Sequence, residues 1–345
     1  MRMFNLKEVV LSLQSQNLTS LLNSIELYKG KTLSAWKLRK VSKLKALARR
    51  YDVIASNSVG NVFLTEEREK DLLIKGKPAE TFDEHMIIGY QNALNLIDEV
   101  YKYQPFDRSF ISTLHYYIYK DYNPEFGGKF KDTQNYIQEL LPDGSLKTVF
   151  VPAAPEEVVP LLENLIYQFN ECMLDENVNK LVTIFVFLLD FICIHPYNHG
   201  NGRLGRLILY FLLKKYGYNI NDYFSTSYLV KQRLSAYIDA LSLSMKGWSE
   251  NENDYSHYVN FMLKIILEAY RKLDYIMEVL DTKGTTITRV YKIVVDSVTP
   301  ISKTVVCNVL YGTSTETIEK ALAQLVKEGK IQLINRGRYS KYFRT

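Results

Sequence analysis

The stretch "CIHPYNHGNGRLGRLI", Cys193–Ile208, decides how this chain is read. An apolar run, "LVTIFVFLL" from Leu181, leads into it and is interrupted by Asp190. The run reads as a buried helix that delivers His195 to its C-terminal end, where Pro196 prevents simple continuation. A glycine-rich loop follows, and the spacing predicts a second helix from near Arg203 to Gly217. A glycine-rich loop opening a helix turns several backbone N–H groups toward one space, at the positive end of the helix dipole. That is a place for an anion. Arg203 and Arg206, three residues apart, reach the same side of the helix. Two guanidinium forks beside an N–H cradle suit a di- or triphosphate better than a carboxylate. His195 at the rim is the residue type for a general base working near neutral pH. Singly, a histidine before proline or a Gly-Asn-Gly turn is an ordinary loop feature. Their joint occurrence between two apolar helices points to chemistry.

The rest of the chain sets the frame. Its 345 residues suffice for two or three domains with ample core. Hydrophobic residues at 47% and charged residues at 23% place it among soluble globular proteins. The N-terminus shows no signal-peptide pattern, and the apolar run from Leu181 is too short to span a bilayer, so no membrane role and a cytoplasmic location are expected. Cys172, Cys193 and Cys307 lack metal-ligand spacing and fit a reducing compartment. The net charge is +5, yet residues 283–345 carry 11 Lys and Arg against 4 Asp and Glu. The basic character belongs to that tail, which hints at a separate domain with its own partner.

Helical periodicity dominates, as in "SAWKLRKVSKLKALARRYDVIASNS" and "EEVVPLLENLIYQFNECML", with Pro155 suited to a helix start. The segment "FGGKFKDTQNYIQELLPDGSLKTVFVP" departs from it: "NYIQELL" and "LKTVFV" are strand-like and flank a Pro142-Asp143-Gly144 turn, a hairpin in a helical body. Near the end, helix, turn, helix and two short strands are expected. Ser314 or Thr315 caps the second helix, Gly329 ends it, and the strands flank Asn335–Arg338. This order resembles a winged helix-turn-helix domain, with the linker near Asp281–Thr286.

"HPYNHGNGRLGR" closely resembles the Fic motif, H-P-F-x-(D/E)-G-N-G-R-x-x-R, and "KFKDTQNYI" resembles the Fic flap. The resemblance implies a mainly α fold: a Fic helical bundle with a β-hairpin flap, plus the small winged domain. The expected division is 1–75 for an N-terminal helical region, 76–280 for the Fic core and 281–345 for the winged helix. It also implies AMP transfer from ATP to a Ser, Thr or Tyr hydroxyl of a protein target or of the chain itself. By this resemblance His195 takes the hydroxyl proton, and Gly200, Asn201 and Gly202 cradle the α- and β-phosphates. Arg203 supports the β-phosphate and Arg206 binds the γ-phosphate. The flap, with Lys129, Lys131, Thr133, Asn135 and Ile137, would hold the target backbone by strand addition. Tyr197 replaces the usual Phe and reads as a core anchor whose hydroxyl needs a partner.

Two departures qualify this. His199 stands where the family has the Asp or Glu that holds Mg²⁺, and imidazole is a poor ligand for so hard a cation. Mn²⁺ suits it better, and the bland reading is a weakened or lost metal site. The second lies at Ser56–Asn61, which fits the (S/T)-x-x-x-E-(G/N) inhibitory pattern of some Fic proteins except that Gly60 occupies the glutamate position. Without that carboxylate, Arg206 is expected to lack an internal partner and to be free for ATP, a derepressed form in which Ser56 and Asn61 remain of the pattern. The alternative is a nucleotide-binding, DNA-associated regulator that has lost transfer through His199. In it the basic wing residues Arg336, Arg338, Lys341 and Arg344 would contact duplex phosphates; Glu316 and Glu319 on the second helix oppose DNA, and dimerisation or protein docking is the other reading of this domain. A third option changes the transferred group. Oligomeric state stays open, a homo-oligomer included.

Overall fold

The computed structural model describes residues 3–13, 16–34, 41–140, 143–335, 337 and 340–345. Fifteen α-helices and five short strands are present among them. The N-terminal helices are α1 (Leu6–Ser12), α2 (Gln16–Ser34), α3 (Val41–Val59) and α4 (Glu66–Leu73). Next come α5 (Phe82–Val100), α6 (Arg108–Tyr119) and the hairpin strands β1 (Ile137–Leu140) and β2 (Leu146–Phe150). Then follow α7 (Val158–Leu174), α8 (Lys180–Ile194), α9 (Asn201–Lys215), α10 (Thr226–Gln232), α11 (Leu234–Met245) and α12 (Ser256–Asp281). The chain closes with α13 (Thr286–Asp296), β3 (Ile301–Ser302), α14 (Lys303–Val309), α15 (Thr315–Lys327), β4 (Ile331–Ile334) and β5 (Lys341–Arg344).

The centre of the molecule is α8, apolar on all sides and buried along nearly its whole length. Such a helix needs neighbours all round, and α7, α9, α1, α12 and α11 supply them. Asn179 starts it by accepting from the N–H groups of Leu181 and Val182. Asp190 does not end the helix. Its carboxylate is buried but satisfied by Trp248 Nε1 at 2.7 Å and the Tyr255 hydroxyl at 2.9 Å, so the helix runs on to Ile194.

Helix α9 begins at Asn201, two residues before the expected start. The reason is Gly200, whose φ of 82° makes it the N-cap. Helix α9 packs against α8, α5, α6 and α3. Helix α3 is anchored in turn by buried Asp52, which accepts from Tyr90 of α5 at 3.2 Å and from Ser225 at 2.7 Å.

Strands β1 and β2 pair antiparallel, and Gly144 takes a φ of 83° in the turn between them. Pro142 lies outside the described residues. Residues 129–136 are not strand: only Ile137, the last expected flap residue, belongs to β1. At the C-terminus the sequence reading missed α13 and β3. The observed order is helix, strand, helix, helix, strand, strand, with a three-stranded antiparallel sheet ordered β3-β5-β4. Ser314 caps α15 by accepting from Thr317 N–H, and Gly329 follows its end at a φ of 67°. Val290, Val306, Ile318, Leu322 and Ile331 join Val279 of α12 in a second apolar core. Arg336 and Arg338 lie outside the described residues, while Lys341 and Arg344 are exposed on β5. No helix among the described residues is long and apolar enough to cross a membrane.

Candidate active site

The last turn of α8 leaves carbonyls without helical partners, and the loop after it is shaped by satisfying them. His195 ends the helix in the left-handed conformation, φ 51° and ψ 61°, a backbone state uncommon for a non-glycine residue. Its N–H still bonds to Phe191 O, and its ring Nδ1 lies 3.3 Å from Ile192 O. A carbonyl only accepts, so the proton sits on Nδ1 and the lone pair on Nε2. Burial pushes the His195 imidazole down to about 4, with Lys131 and His199 adding smaller effects in the same direction. At neutral pH it is an unprotonated base.

Tyr197 is fully buried, and its hydroxyl finds the partner it needs in Ser112 Oγ at 3.0 Å. Asn201, 2% exposed, closes the loop on that residue: its Oδ1 accepts from Tyr197 N–H and its Nδ2 donates to Tyr197 O at 2.6 Å. The Asn201 side chain is therefore structural, and only its backbone N–H remains for a ligand.

His115 of α6 escaped the sequence reading. It is fully buried, stacks on Tyr197 with ring centres 3.8 Å apart, and its Nδ1 accepts from Gly128 N–H at 2.9 Å. The proton must then be on Nε2, which donates to His199 O at 3.0 Å. Burial lowers this imidazole to about 4 as well. One neutral histidine thus ties the flap entrance to the phosphate-loop backbone. The only signal for it was a lone histidine on the apolar face of "FISTLHYYIY", which reads as core.

Gly200 must be glycine. A Cβ there would meet the Tyr119 hydroxyl at 2.8 Å, and the φ is in the left-handed region. The first intrahelical bond of α9 is Leu204 N–H to Gly200 O. The N–H groups of Asn201, Gly202 and Arg203 precede it, and no side chain caps them.

Arg203 is 8% exposed. Its Nη2 donates to the Tyr119 hydroxyl at 3.1 Å, while its Nη1 is buried without any partner. Burial pulls its guanidinium down from its usual range, with Arg206 adding to the effect and Asp83 offsetting only part of it. A buried cation with an orphaned N–H beside an uncapped helix N-terminus lacks an anion.

Arg206 overturns one expectation. It has an internal partner: Nε donates to Ser56 Oγ at 2.7 Å and Nη2 to Ser56 O at 2.8 Å. Ser56 O is available because the last turn of α3 tightens, Gly60 N–H going to Asn57 O and Asn61 N–H to Ser58 O. Arg206 thereby caps the negative end of α3. Gly60 is exposed with a Cβ direction that meets only Asn57 O at 3.4 Å, and Asn61 takes a φ of 61° past the helix end.

The flap residues divide. Lys131 and Asn135 turn inward: Lys131 N–H donates to Pro196 O at 2.9 Å, its Nζ to Ile194 O at 3.2 Å, and Asn135 Nδ2 to Tyr197 O at 3.1 Å. They satisfy loop carbonyls and are not displayed to a target. Lys129 and Thr133 are exposed. The strands left open for pairing are those of the hairpin beyond, where β2 is exposed over Leu146–Val149.

His199 is exposed, and its ring stacks on Phe126 at 5.7 Å between centres. Among the described residues no three His, Cys, Asp or Glu side chains gather as for a metal. One exposed imidazole in place of a carboxylate does not fit Mg²⁺.

An unprotonated imidazole, an uncapped glycine-rich helix start and a buried arginine with an orphaned Nη1 lie together here, a donor set of the kind that suits a phosphate. A sequence profile of the Fic/DOC family matches residues 105–213, and the chain carries a Fic/DOC family domain there. Among solved structures it is similar to a Fic family protein from Desulfovibrio desulfuricans G20, with 15% identity, 96% of each chain covered and a TM-score of 0.61. A Fic domain containing signaling protein from Bacteroides thetaiotaomicron VPI-5482 is 19% identical, covering 78% of this chain and 100% of that one with a TM-score of 0.60. Fic-1 (residues 134–508) from C. elegans is 16% identical, covering 76% and 74% with a TM-score of 0.59. No curated protein matches the chain. Members of this family are typically transferases.

Proposed function

We propose that this chain is a protein adenylyltransferase, moving AMP from ATP to a hydroxyl of a protein target or of itself. The observation that carries the reading is Arg203, a buried guanidinium with an orphaned Nη1 and the Tyr119 hydroxyl as its hydrogen-bond partner, set beside the open N-terminus of α9. A triphosphate supplies the missing anion for both. In the reaction the target oxygen attacks the α-phosphorus while the bond to the β-phosphate oxygen breaks. The hydroxyl proton passes to Nε2 of His195 and pyrophosphate leaves. The chain contributes position and fixed positive charge. Transfer of label from α-labelled ATP onto the chain and onto lysate proteins tests it. ATP bound with no label moved by any variant would favour the nucleotide-binding, DNA-associated regulator instead.

Arg206 is restrained in this reading by two neutral acceptors on Ser56, which a γ-phosphate outcompetes more readily than a carboxylate. Gly60 lies just past the end of α3, four residues beyond Ser56. Gly60→Glu, tolerated by its backbone, is expected to pair with Arg206 and lower transfer about ten- to hundredfold, the worth of one charge-assisted bond. Unchanged ATP affinity and transfer in that variant would sink the derepression idea.

No step here runs through a metal. Of the two expected, Mn²⁺ accepts imidazole more readily. His199→Asp is expected to raise transfer in Mg²⁺ relative to Mn²⁺ several-fold, read as the ratio of initial rates. A ratio that does not move removes position 199 from any metal site.

A further inference from the structure

Lys131 is the one lysine among the described residues that is buried, at 4% exposure. No carboxylate holds it. Its Nζ donates to Ile194 O at 3.2 Å and to Asn135 Oδ1 at 3.0 Å, and Glu157 acts on it only through space. Burying an ammonium on neutral acceptors is costly, so the place it occupies calls for a reason.

The four carbonyls at the end of α8 give one. Phe191 O accepts from His195 N–H at 3.1 Å and Ile192 O from His195 Nδ1 at 3.3 Å. Cys193 O accepts from Ala153 N–H at 3.3 Å. Ile194 O is left for Lys131, and a cation there also faces the negative end of the helix. The Lys131 N–H then fixes the next peptide through Pro196 O at 2.9 Å. One residue of the flap thus grips the backbone on both sides of His195, the residue held in the left-handed conformation.

We propose that Lys131 is a positioning residue for the His195 base: its ammonium and backbone N–H hold the αL turn that aims the imidazole. Its positive charge also acts against an imidazolium at His195. This rests on the reading of His195 as the base. The charged groups acting on the His195 ring are Lys131 from the flap and His199 from its own loop, while Glu157, ahead of α7, acts on Lys131. Burial lowers Lys131 to about 8, so it stays mostly charged at neutral pH. The residue is hidden from a docked target and acts from behind the base.

The test has two arms. In the purified, nucleotide-free chain, the histidine ring resonances are titrated by NMR, His195 being assigned by its loss in His195→Ala. Lys131→Met removes a cation next to the ring and is expected to move the His195 midpoint upward from about 4, whereas Lys131→Arg leaves it low. In transfer assays Lys131→Met is expected to lower kcat about tenfold, with KM for ATP within about twofold and the acid limb shifted to higher pH; Lys131→Arg restores most of the rate. If Lys131→Met does not fold, Lys131→Gln keeps a donor for Ile194 O without the charge and carries the same titration. A His195 midpoint that stays in place in a folded, uncharged variant overturns the proposal. Absence of transfer in every variant would instead count against the adenylyl reading and leave the titration to decide on Lys131.

Discussion

His195→Ala is expected to lower label transfer from α-labelled ATP by about 10²- to 10⁴-fold, the usual contribution of a positioned base, with ATP affinity nearly unchanged. Ile192 O accepts the Nδ1 proton, so Nε2 is free to take one. Burial holds the imidazole down to about 4, hence His195 is unprotonated across the neutral range in the nucleotide-free chain. The sign follows: kcat/KM falls as pH drops through about 4 and is flat above it on the acid side. A bound triphosphate brings negative charge near the ring and favours the imidazolium, so the limb of kcat is expected at higher pH than that of kcat/KM. Parallel rate profiles for both parameters, or transfer that persists in His195→Ala, would remove the residue from the base role.

The parts of the site legible in the sequence are those fixed by local chain chemistry. A continuous apolar run, a histidine before proline and a glycine-rich helix start announce α8, its end and the anion cradle, because each expresses a backbone constraint within a few residues. The start of α9 lies two residues ahead of the expected one because Gly200 takes a left-handed φ as N-cap, and the need for glycine there comes from Tyr119, 81 positions earlier in the chain, whose hydroxyl leaves no room for a Cβ. Ser56 as the partner of Arg206 was missed for another reason. A missing carboxylate was read as a missing partner, whereas a tightened last turn of α3 frees a main-chain carbonyl that no side-chain pattern reveals. His115 and Lys131 share that invisibility: each satisfies loop backbone from a distant element. A lone His in an amphipathic helix and a Lys in a polar loop carry no mark of it. The C-terminal unit divides the same way, since capped α15 could be read from Ser314 and Gly329, but β3 is two residues long and exists only through pairing with β5.

Arg203→Met is expected to cost about 10²- to 10³-fold in kcat/KM for ATP, as removal of one fixed charge-stabilising donor does elsewhere, while thermal stability stays level or rises. The two halves of this expectation have one cause. Without a bound anion the guanidinium would be a burden: it is desolvated, its Nη1 has no partner, and its hydrogen bond goes to the neutral Tyr119 hydroxyl. A methionine of similar reach removes the buried charge and the orphaned donor together, and such replacements are often neutral or stabilising. With a polyphosphate bound, the same group gains a charge-assisted partner in a water-poor setting, so its loss falls on the liganded state and the transition state. Arg206 behaves differently, because its Ser56 partners already satisfy part of it and must be given up for phosphate. Calorimetric ATP titration beside thermal melts of the empty protein separates the two arginines. Lost affinity with retained melting temperature assigns Arg203 to the ligand. A melting temperature lowered by several degrees with ATP affinity intact would make it a structural residue, and the phosphate-site reading of α9 would fail with it.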